Sequence, residues 1–512
     1  MSTRAAILIA LPTGLTVGGV QVFAARLGNA LAARGRCVGL LLHTPRGPAL
    51  DVALESSVRL FHVPDSASDQ GVLDPARCLP HYERAVLDLH GRTGSPVVCA
   101  PNHLGDCYGL FAMLSRRHPE KMRVVGWRHS AIPYDARVLE YYEPLLTRLV
   151  AVSDALESWM HSKLPARDAN IRNIPCGVEV GPARDFPQSS GGPRPVRLIY
   201  VGRLEDDIKR VSVLPRLSAE LSRRGVSHTL TVVGDGPAAH VFENAPAPVM
   251  LIKGAGPARI AELLDAHDIF VLPSRVEGLS LSMIEAMGRG CVPIVTRTES
   301  GAAQVLEGAG EPGGVIVDPP PGAGFAEIAA ALADAVLQAR PRLAAMSAAA
   351  QGIVADRYSL ARHADAVERL IDEAAADSAR PWPAERQPMF TASDPVRGSG
   401  AVPPEGPSLL RELLESLAGR RIVLHGAGRH TAELAAVIEG FRDRVVALTD
   451  DDPQRHGQTM SGLPILPPAS ASRTGATDVV ISSWMNQEQI WEGRATYEGQ
   501  RMRVHRIYPR AA

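Results

Sequence analysis

The sequence of 512 residues predicts an α/β protein with three successive units, the first two of which are doubly wound parallel sheets. Short apolar runs alternate with helical patterns, which is typical of parallel strands covered by helices on both faces. Two stretches rich in turn-forming residues interrupt the alternation. The predicted segments are a first domain (residues 1–185), a second domain (195–378), a Pro-rich linker (379–407) and a small accessory domain (408–512).

Six apolar runs predict the strands of the first domain. They are Ala5–Leu11, Val38–Leu42, Val58–Val63, Val97–Ala100, Val124–Trp127 and Leu149–Val152. The first run also resembles the apolar part of a signal peptide. Pro12, Gly14 and the amphipathic pattern over residues 20–34 instead favour a strand followed by a helix.

Six further runs predict the sheet of the second domain. They are Leu198–Val201, Leu230–Val233, Met250–Ile252, Ile269–Leu272, Pro293–Val295 and Val315–Val317. The alanine-rich pattern over residues 324–375 predicts helices, and we expect the last of them to return to the first domain. After the linker, strands are predicted within Arg421–Thr431 and at Val445–Leu448 and Val479–Ser482.

The composition excludes several classes of protein. The 54 basic residues nearly balance the 55 acidic ones, so bulk charge gives no support for a nucleic-acid partner. The six cysteines form no C-x-x-C pair, which indicates reduced core thiols in a cytoplasmic protein and no zinc site. No apolar run reaches the ~18 residues of a membrane span, while peripheral contact with the inner face of a membrane stays open.

The segment Arg275–Gly290 carries the chemistry around which the chain is organised. Glu277 and Glu285 stand eight positions apart, on either side of a predicted helix start for which Ser280 is the N-cap. The free N–H groups of residues 278–281 form a positive pole that suits phosphate or sugar oxygens. Because carboxylates accept hydrogen bonds from hydroxyls, the segment predicts an anionic, polyhydroxylated ligand such as a nucleotide sugar.

Two cations are predicted at the same edge of the second sheet. Arg203 and Lys209 follow the strand Leu198–Val201, and open sheets bind ligands outside the carboxyl ends of their strands. Fixed cations there can neutralise a diphosphate leaving group without a metal. The alternative is a solvated basic loop balanced by its own acidic residues, Glu205, Asp206 and Asp207.

A glycine pair in the first domain is a candidate phosphate site. Gly18 and Gly19 lie between the first strand and the first helix, where the backbone can approach a phosphate. The alternative is that the pair only makes the turn.

Polar side chains after two other strands of the first domain are candidates for the same cleft. His129 follows the strand Val124–Trp127, although a lone histidine is more often structural. Asn102, His103 and Asp106 follow another strand and fit either contact with an acceptor or a plain loop.

In this order and setting, these residues resemble the retaining GT-B glycosyltransferases of family 4. The motifs that carry the resemblance are Val17–Val20, Ala151–Asp154, Arg203 with Lys209, Val232–Pro237, Glu277 with Glu285, and Gly290–Val295. They cover about residues 5–378 and are specific as an ordered set. Cys176 is a departure, because the family commonly has asparagine there.

The resemblance implies a GT-B fold, with an acceptor-side first domain and a nucleotide-sugar-binding second domain, both Rossmann-like, facing a cleft. It implies sugar transfer from a UDP- or GDP-sugar with retention of configuration, independent of metal and cofactor, in bacterial glycan or glycoconjugate synthesis. The acceptor stays open among a glycan, a lipid-linked intermediate, a protein and a small molecule. The implied roles are donor-sugar binding by Glu277, Gly278, Leu279 and Ser280, ribose binding by Glu285, diphosphate binding by Arg203, Lys209 and Gly19, and contact near the reacting carbon by His129.

The accessory domain leaves other functions open. Gly426-Ala-Gly428 follows a strand and Asp450–Asp452 closes the next, which resembles half of a dinucleotide fingerprint with Thr431 at the third glycine. A nicotinamide cofactor there would make the protein a sugar-nucleotide oxidoreductase, although no Tyr-x-x-x-Lys partner is recognisable. The alternatives are a Rossmann-like accessory or oligomerisation domain, and a protein that binds sugar nucleotides without catalysis.

Overall fold

The computed structural model describes residues 4–45, 49–64, 74–102, 105–184, 194–206, 208–242, 249–307, 311–320, 323–388, 406–452, 455–483 and 487–508. The chain divides into two compact units, Met1–Ala392 (unit 1) and Ser393–Ala512 (unit 2). Unit 1 contains two sheets, which define its first and second domains, and unit 2 contains a third sheet.

The first domain is a parallel sheet covered by helices. Its elements are β1 (Ile7–Leu11), α1 (Gly19–Ala33), β2 (Val38–His43), β3 (Arg59–Val63), α2 (Pro75–Thr93), β4 (Val97–Pro101), α3 (Gly105–Arg117), β5 (Met122–Arg128), α4 (Pro133–Tyr142), β6 (Leu146–Ala151), α5 (Asp154–Lys163) and β7 (Ile171–Asn173). The strand order is β3-β2-β1-β4-β5-β6-β7. Strands β1, β2, β4 and β5 are buried throughout, as continuous apolar runs predict for a sheet covered on both faces. The six predicted strands are confirmed, and β7 is an additional edge strand.

The second domain repeats this architecture. Its elements are β8 (Val196–Val201), α6 (Val213–Arg223), β9 (His228–Val233), β10 (Val249–Ile252), α7 (Pro257–Ala266), β11 (Ile269–Leu272), α8 (Leu281–Gly288), β12 (Val292–Thr296), α9 (Ala302–Leu306), β13 (Val315–Val317), α10 (Phe325–Ala339) and α11 (Leu343–Arg357). All six predicted strands are confirmed, in the parallel order β10-β9-β8-β11-β12-β13. The chain leaves β8 toward β9 and later returns to its other side at β11. The carboxyl ends of β8 and β11 therefore flank a topological switch point, where open sheets bind ligands.

The long helix α12 (Leu360–Ala376) returns to the first domain and packs against α1 and the first sheet. Val367 and Ile371 of this helix are fully buried. Beside them, Arg34 lies 2.6 Å from Asp365, and Arg36, whose side chain is 1% exposed, lies 2.7 Å from Asp372. Buried apolar side chains and ion pairs thus hold α12 on the first domain, although α12 follows the second domain in the chain.

The first residues of the predicted linker are packed on the first domain. Trp382 is 2% exposed, its backbone N–H donates to Ser115 Oγ over 2.9 Å, and its ring lies 5.1 Å from that of Tyr142. The predicted Pro-rich linker thus begins with residues 379–388, which one buried aromatic side chain holds on the first domain. The remainder of that stretch, residues 389–405, lies outside the described residues.

Unit 2 has its own sheet and hydrophobic core. Its elements are α13 (Gly406–Ser416), β14 (Ile422–His425), α14 (Arg429–Glu433), α15 (Ala435–Glu439), β15 (Val445–Thr449), β16 (Thr459–Met460), β17 (Leu463–Leu466), β18 (Asp478–Ile481), α16 (Gln487–Glu492), α17 (Ala495–Glu498) and β19 (Arg503–Arg506). The order is β16-β17-β15-β14-β18-β19, and the strands pair in parallel except for β16 with β17.

The glycine turn of unit 2 is closed by hydrogen bonds within the unit. Ala427 N–H donates to Asp450 Oδ2 over 2.7 Å, and the Thr431 hydroxyl donates to the carbonyl oxygen of Gly426 over 2.5 Å. Thr431 therefore ties the following helix to the turn, which gives a structural role to the residue that replaces the third glycine of the fingerprint.

Candidate functional site

The loops that follow β8 and β11 are tied together at the switch point of the second sheet. Arg275 N–H donates to the carbonyl oxygen of Ile208 over 2.7 Å. The guanidinium of Arg210 donates to the carbonyl oxygens of Pro273 and Ser274, each over 2.8 Å. Arg210 has a φ of +50°, a conformation that non-glycine residues adopt rarely, so these hydrogen bonds hold a locally unfavourable turn in place.

Lys209 and Glu277 form an ion pair between these two loops. Lys209 Nζ lies 2.6 Å from Glu277 Oε1, although the residues are 68 positions apart. Their side chains are 21% and 11% exposed. Charges that are partly shielded from water interact more strongly than charges on the open surface. The structure therefore brings together one predicted cation and the first predicted carboxylate.

Arg203, the second predicted cation, lies outside this pair. Its Nε is 3.3 Å from Glu205 Oε2, and its side chain is 50% exposed. Its carbonyl oxygen accepts a hydrogen bond from the Tyr200 hydroxyl over 2.8 Å. Burial raises the pKa of that tyrosine well above its ordinary value, so the hydroxyl stays protonated and donates. The loop backbone at Arg203 is thus fixed while the guanidinium reaches solvent.

The start of α8 has the predicted cap. Ser280 is 6% exposed, and its Oγ accepts from Met283 N–H over 3.3 Å. Gly278, two residues earlier, lies against the first domain. A Cβ atom there would stand 2.1 Å from the carbonyl oxygen of His129, which is closer than atoms can approach. Glycine is therefore required at position 278 for the two domains to meet, and Leu279 is buried between it and the cap.

His129 is held at the end of β5 by two neighbours. Its Nε2 lies 3.1 Å from Asn102 Oδ1, and its ring is edge-on to Phe23 of α1 with centroids 5.1 Å apart. With this amide orientation, Nε2 carries the proton and donates. Asn102 follows β4, so this hydrogen bond joins the carboxyl ends of the neighbouring strands β4 and β5. Asp106 is buried within α3, and His103 lies outside the described residues.

Arg26 is a candidate site residue that no sequence motif indicates. It lies on α1, and its Nη1 donates to Oε1 of Glu285 on α8, 259 positions away. Their side chains are 21% and 14% exposed. The one signal in the sequence is the spacing of seven residues from Gly19, which places Arg26 on the same face of α1 as that glycine. The second predicted carboxylate is thus paired across the cleft.

The glycine pair of the first domain has two different environments. Gly18 is the N-cap of α1, and a Cβ atom there would lie 2.3 Å from Gln21 Oε1. A Cβ atom at Gly19 would meet nothing within 4 Å. Gly18 therefore faces the side chain of Gln21, while Gly19 faces open space at the start of a 15-residue helix.

Two buried serine hydroxyls link the domains behind Gly278. The Ser153 and Ser300 Oγ atoms lie 2.6 Å apart, and Ser300 Oγ donates to the carbonyl oxygen of Gly278 over 2.7 Å. Ser153 belongs to the first domain and is fully buried, and Ser300 is 3% exposed. The pair is a second hydrogen-bonded connection that the sequence does not predict.

We expect Ser300→Ala to lower the free energy of unfolding by about 1–3 kcal/mol, because it leaves the Ser153 hydroxyl and the Gly278 carbonyl buried without this partner. Urea denaturation measures the change. The exposed Ser162 hydroxyl donates to the carbonyl oxygen of Trp159 in its own helix turn, so Ser162→Ala is a matched control expected to change stability by less than about 0.5 kcal/mol. Equal effects of the two substitutions would contradict the interpretation.

Neither a metal cluster nor a membrane span is found in the described part of the chain. No group of three or more His, Cys, Asp or Glu residues there could hold a metal ion. All six cysteines are free thiols, and burial raises the pKa of Cys107 and of Cys176 to about 12. Within the same residues, no helix combines the length and apolarity needed to cross a bilayer.

The switch-point segment matches a known family. Residues 195–338, which contain Lys209, Glu277 and Glu285, match the family model described as glycosyl transferases group 1. We call this matched segment the group 1 domain. The ion pair of Lys209 with Glu277 therefore lies inside the group 1 domain, and Arg26 contacts this domain from outside it.

Two curated relatives of the chain are glycosyltransferases by name. The chain is 24% identical over 259 residues to the putative glycosyltransferase EpsF of Bacillus subtilis (strain 168). This alignment covers 46% of this chain and 65% of EpsF. The chain is 26% identical over 216 residues to the alpha-D-kanosaminyltransferase of Streptomyces kanamyceticus, which covers 40% of this chain and 45% of the relative. The chain thus spans less than two thirds of either relative.

Solved structures share the fold of the chain. The S. aureus TarM G117R mutant, in complex with fondaparinux, alpha-GlcNAc-glycerol and UDP, superposes on this chain with a TM-score of 0.56 at 11% identity. The superposition covers 72% of this chain and 100% of the TarM chain. The pneumococcal O-GlcNAc transferase GtfA, in complex with UDP and GlcNAc, also superposes with a TM-score of 0.56 at 11% identity. This superposition covers 73% of this chain and 100% of the GtfA chain. At such identities the likeness shows the fold alone, and the predicted GT-B fold is confirmed.

Proposed function

We propose that the protein is a glycosyltransferase that moves a sugar from a nucleotide diphosphate-sugar to an acceptor with retention of anomeric configuration, in bacterial glycan or glycoconjugate synthesis. The observation that carries this proposal is the shielded Lys209–Glu277 pair at the switch point of a group 1 domain. The names of the two curated relatives support the reaction class. The UDP in two structures of the same fold supports a nucleotide-sugar donor.

The donor site follows from the chemistry of the residues at this edge. Lys209 and Arg203 supply positive charge for the diphosphate of a UDP- or GDP-sugar. This charge stabilises the departing nucleotide without a metal. The N–H groups at the start of α8, from Gly278 to Ser280, add partial positive charge. Glu277 accepts hydrogen bonds from the sugar, and Glu285 accepts them from the ribose.

The acceptor reacts from the side of the first domain. Its hydroxyl attacks the anomeric carbon on the face from which the nucleotide departs, and the departing phosphate takes the hydroxyl proton. His129 contacts the sugar near the reacting carbon, and Gly18 and Gly19 bring the start of α1 to the distal phosphate. Neither glutamate acts as a nucleophile, which distinguishes this site from the paired carboxylates of glycosidases. Free thiols favour a cytoplasmic location.

A donor panel tests the proposed function. We expect the purified chain to release nucleoside diphosphate from at least one UDP- or GDP-sugar, by transfer or by slow hydrolysis, and Glu277→Ala to abolish the release without lowering the melting temperature. Glu307, which is 56% exposed and paired with Arg297 in the same domain, provides the control Glu307→Ala with unchanged activity. Failure of the wild-type protein to turn over any donor with any acceptor would overturn the proposal.

The oxidoreductase alternative is not favoured. The matches concern glycosyltransferases, and the amide of Ala427 in the glycine turn of unit 2 is bonded to Asp450. A protein that binds sugar nucleotides without catalysis remains separable by the same assay, because it would bind a donor and release no nucleotide.

A further inference from the structure

We propose that Arg26 is a positioning residue for the donor. Acting from the first domain, it holds the ribose-binding carboxylate of Glu285 and adds a third cation to the donor site. The inference rests on the proposed function and extends it to a residue outside the group 1 domain.

The ion pair leaves Glu285 free to bind a ribose. Arg26 Nη1 donates to Oε1 of Glu285, while Oε2 has no hydrogen-bond partner among the described residues. A carboxylate has about four lone-pair positions, so a ribose hydroxyl can donate to Oε2 while Arg26 keeps its bond. Arg26 then restricts the rotamers of Glu285 before the donor arrives, which reduces the entropy lost on binding.

Charge balance gives Arg26 a second effect. In the group 1 domain, Lys209 is paired with Glu277, and Arg203 is paired with its neighbour Glu205. The donor diphosphate is an anion, so an uncompensated Glu285 close to it would oppose binding. Arg26 neutralises this carboxylate at a place where both side chains are less than one quarter exposed, and where Coulomb interactions are consequently stronger than in bulk water.

The position of Arg26 also couples donor binding to the approach of the domains. Arg26 moves with α1, and Glu285 moves with α8. Their bond therefore forms only when the domains are close, as does the contact of Gly278 with the carbonyl oxygen of His129. A donor that occupies Glu285 meets a carboxylate already aligned by the opposite domain, so the effect of Arg26 is expected in donor affinity and not in the chemical step.

Titration calorimetry with UDP and with GDP tests the inference, because these probes carry the ribose and the diphosphate without the sugar. We expect Arg26→Gln to weaken binding of the preferred nucleotide about tenfold, equivalent to about 1.4 kcal/mol. The KM for the donor should rise by a similar factor while kcat stays within about twofold, which is the signature of lost uniform binding. Arg26→Lys retains the charge and should recover part of the affinity.

Two further variants sharpen the test. Arg223 pairs with Glu220 on the surface of α6 and its side chain is 71% exposed, so Arg223→Gln removes a comparable pair away from the cleft and should leave nucleotide affinity unchanged. Arg26→Gln should reduce nucleotide affinity much less in a Glu285→Gln background than in the wild type, because the two residues act as one unit.

The outcomes separate the inference from the proposed function. If the wild-type chain binds neither nucleotide and turns over no donor, the proposed function fails. If the wild type binds and transfers, but Arg26→Gln binds equally well, or more tightly, the inference is overturned and the proposed function stands. A lower melting temperature with unchanged affinity would show Arg26 to be purely structural and would equally overturn the inference.

Discussion

Lys209→Met is expected to lower the kcat of sugar transfer about 10²–10³-fold, the usual effect of removing one preorganised charge from a site where negative charge develops. Lys209 Nζ lies 2.6 Å from Glu277 Oε1. The substitution therefore removes the ion-pair partner of Glu277, which is 11% exposed, and leaves this carboxylate beside the position proposed for the departing diphosphate. Release of nucleoside diphosphate at saturating donor measures the effect.

Lys163 provides the matched control for this prediction. It is an exposed lysine at the end of α5 in the first domain, and Lys163→Met should leave kcat unchanged. Lys209→Met should keep the wild-type melting temperature within a few degrees, since a partly exposed methionine is tolerated. A loss of activity below about threefold, with folding intact, would remove Lys209 from the catalytic role and leave the charge to Arg203.

Asp268→Ala is expected to lower the free energy of unfolding of unit 1 by about 3–5 kcal/mol, because breaking a buried ion pair leaves an uncompensated charge. Asp268 is 1% exposed and lies 2.9–3.0 Å from the guanidinium nitrogens of Arg184, Arg194 and Arg197. Arg184, with a side chain only 9% exposed, would lose the Asp268 carboxylate inside the protein. Urea denaturation measures the change.

The effect of Asp268 should depend on pH in a defined direction. Burial by itself would raise the pKa of Asp268, but hydrogen bonds from Arg197 and Arg194 outweigh burial and lower the pKa below its ordinary value. Because the folded pKa is the lower one, its contribution to stability is complete above the unfolded pKa of about 3.9 and is lost as pH falls through the folded pKa. The stability difference between wild type and Asp268→Ala should therefore be constant from about pH 7 to 5 and shrink below about pH 4.

Asp334→Ala is the control for the Asp268 experiment. Asp334 pairs with Arg224 but its side chain is 63% exposed, so its loss should change the free energy of unfolding by less than about 1 kcal/mol. Equal effects of the two alanine variants would contradict the importance assigned to burial.

The strands of both sheets of unit 1, apart from β7, were predictable because each is a run of apolar residues between helical patterns. The strands that the sequence does not predict are the edge strands β7, β16 and β19, and β17, which lies next to the edge strand β16. β7 contains Arg172 and Asn173, β17 contains Pro464, and β19 is Arg503–Arg506 with three basic residues. An edge strand has one side open to water, so it needs no continuous apolar pattern. Its pairing depends on a neighbouring strand and leaves little trace in local sequence.

The candidate site was predictable in its residue types but not in all its contacts. The cap at Ser280 follows from local sequence, and the structure contains it. Which of the two cations meets Glu277 depends on the path of the loop after β8, and the hydrogen bonds of Arg210 to Pro273 and Ser274 settle this in favour of Lys209.

The sequence by itself determined the elements, their alternation and the carboxylates and cations at strand ends, because periodicity, capping and turn chemistry act over a few neighbouring residues. Only the tertiary structure decided that Lys209 pairs with Glu277, that Arg26 reaches Glu285, and that Gly278 lies against His129. These contacts join residues 68 and 259 positions apart, or residues of two different domains. Contacts between residues so far apart in the sequence depend on how the two sheets and the returning helix pack, and no local sequence pattern encodes them.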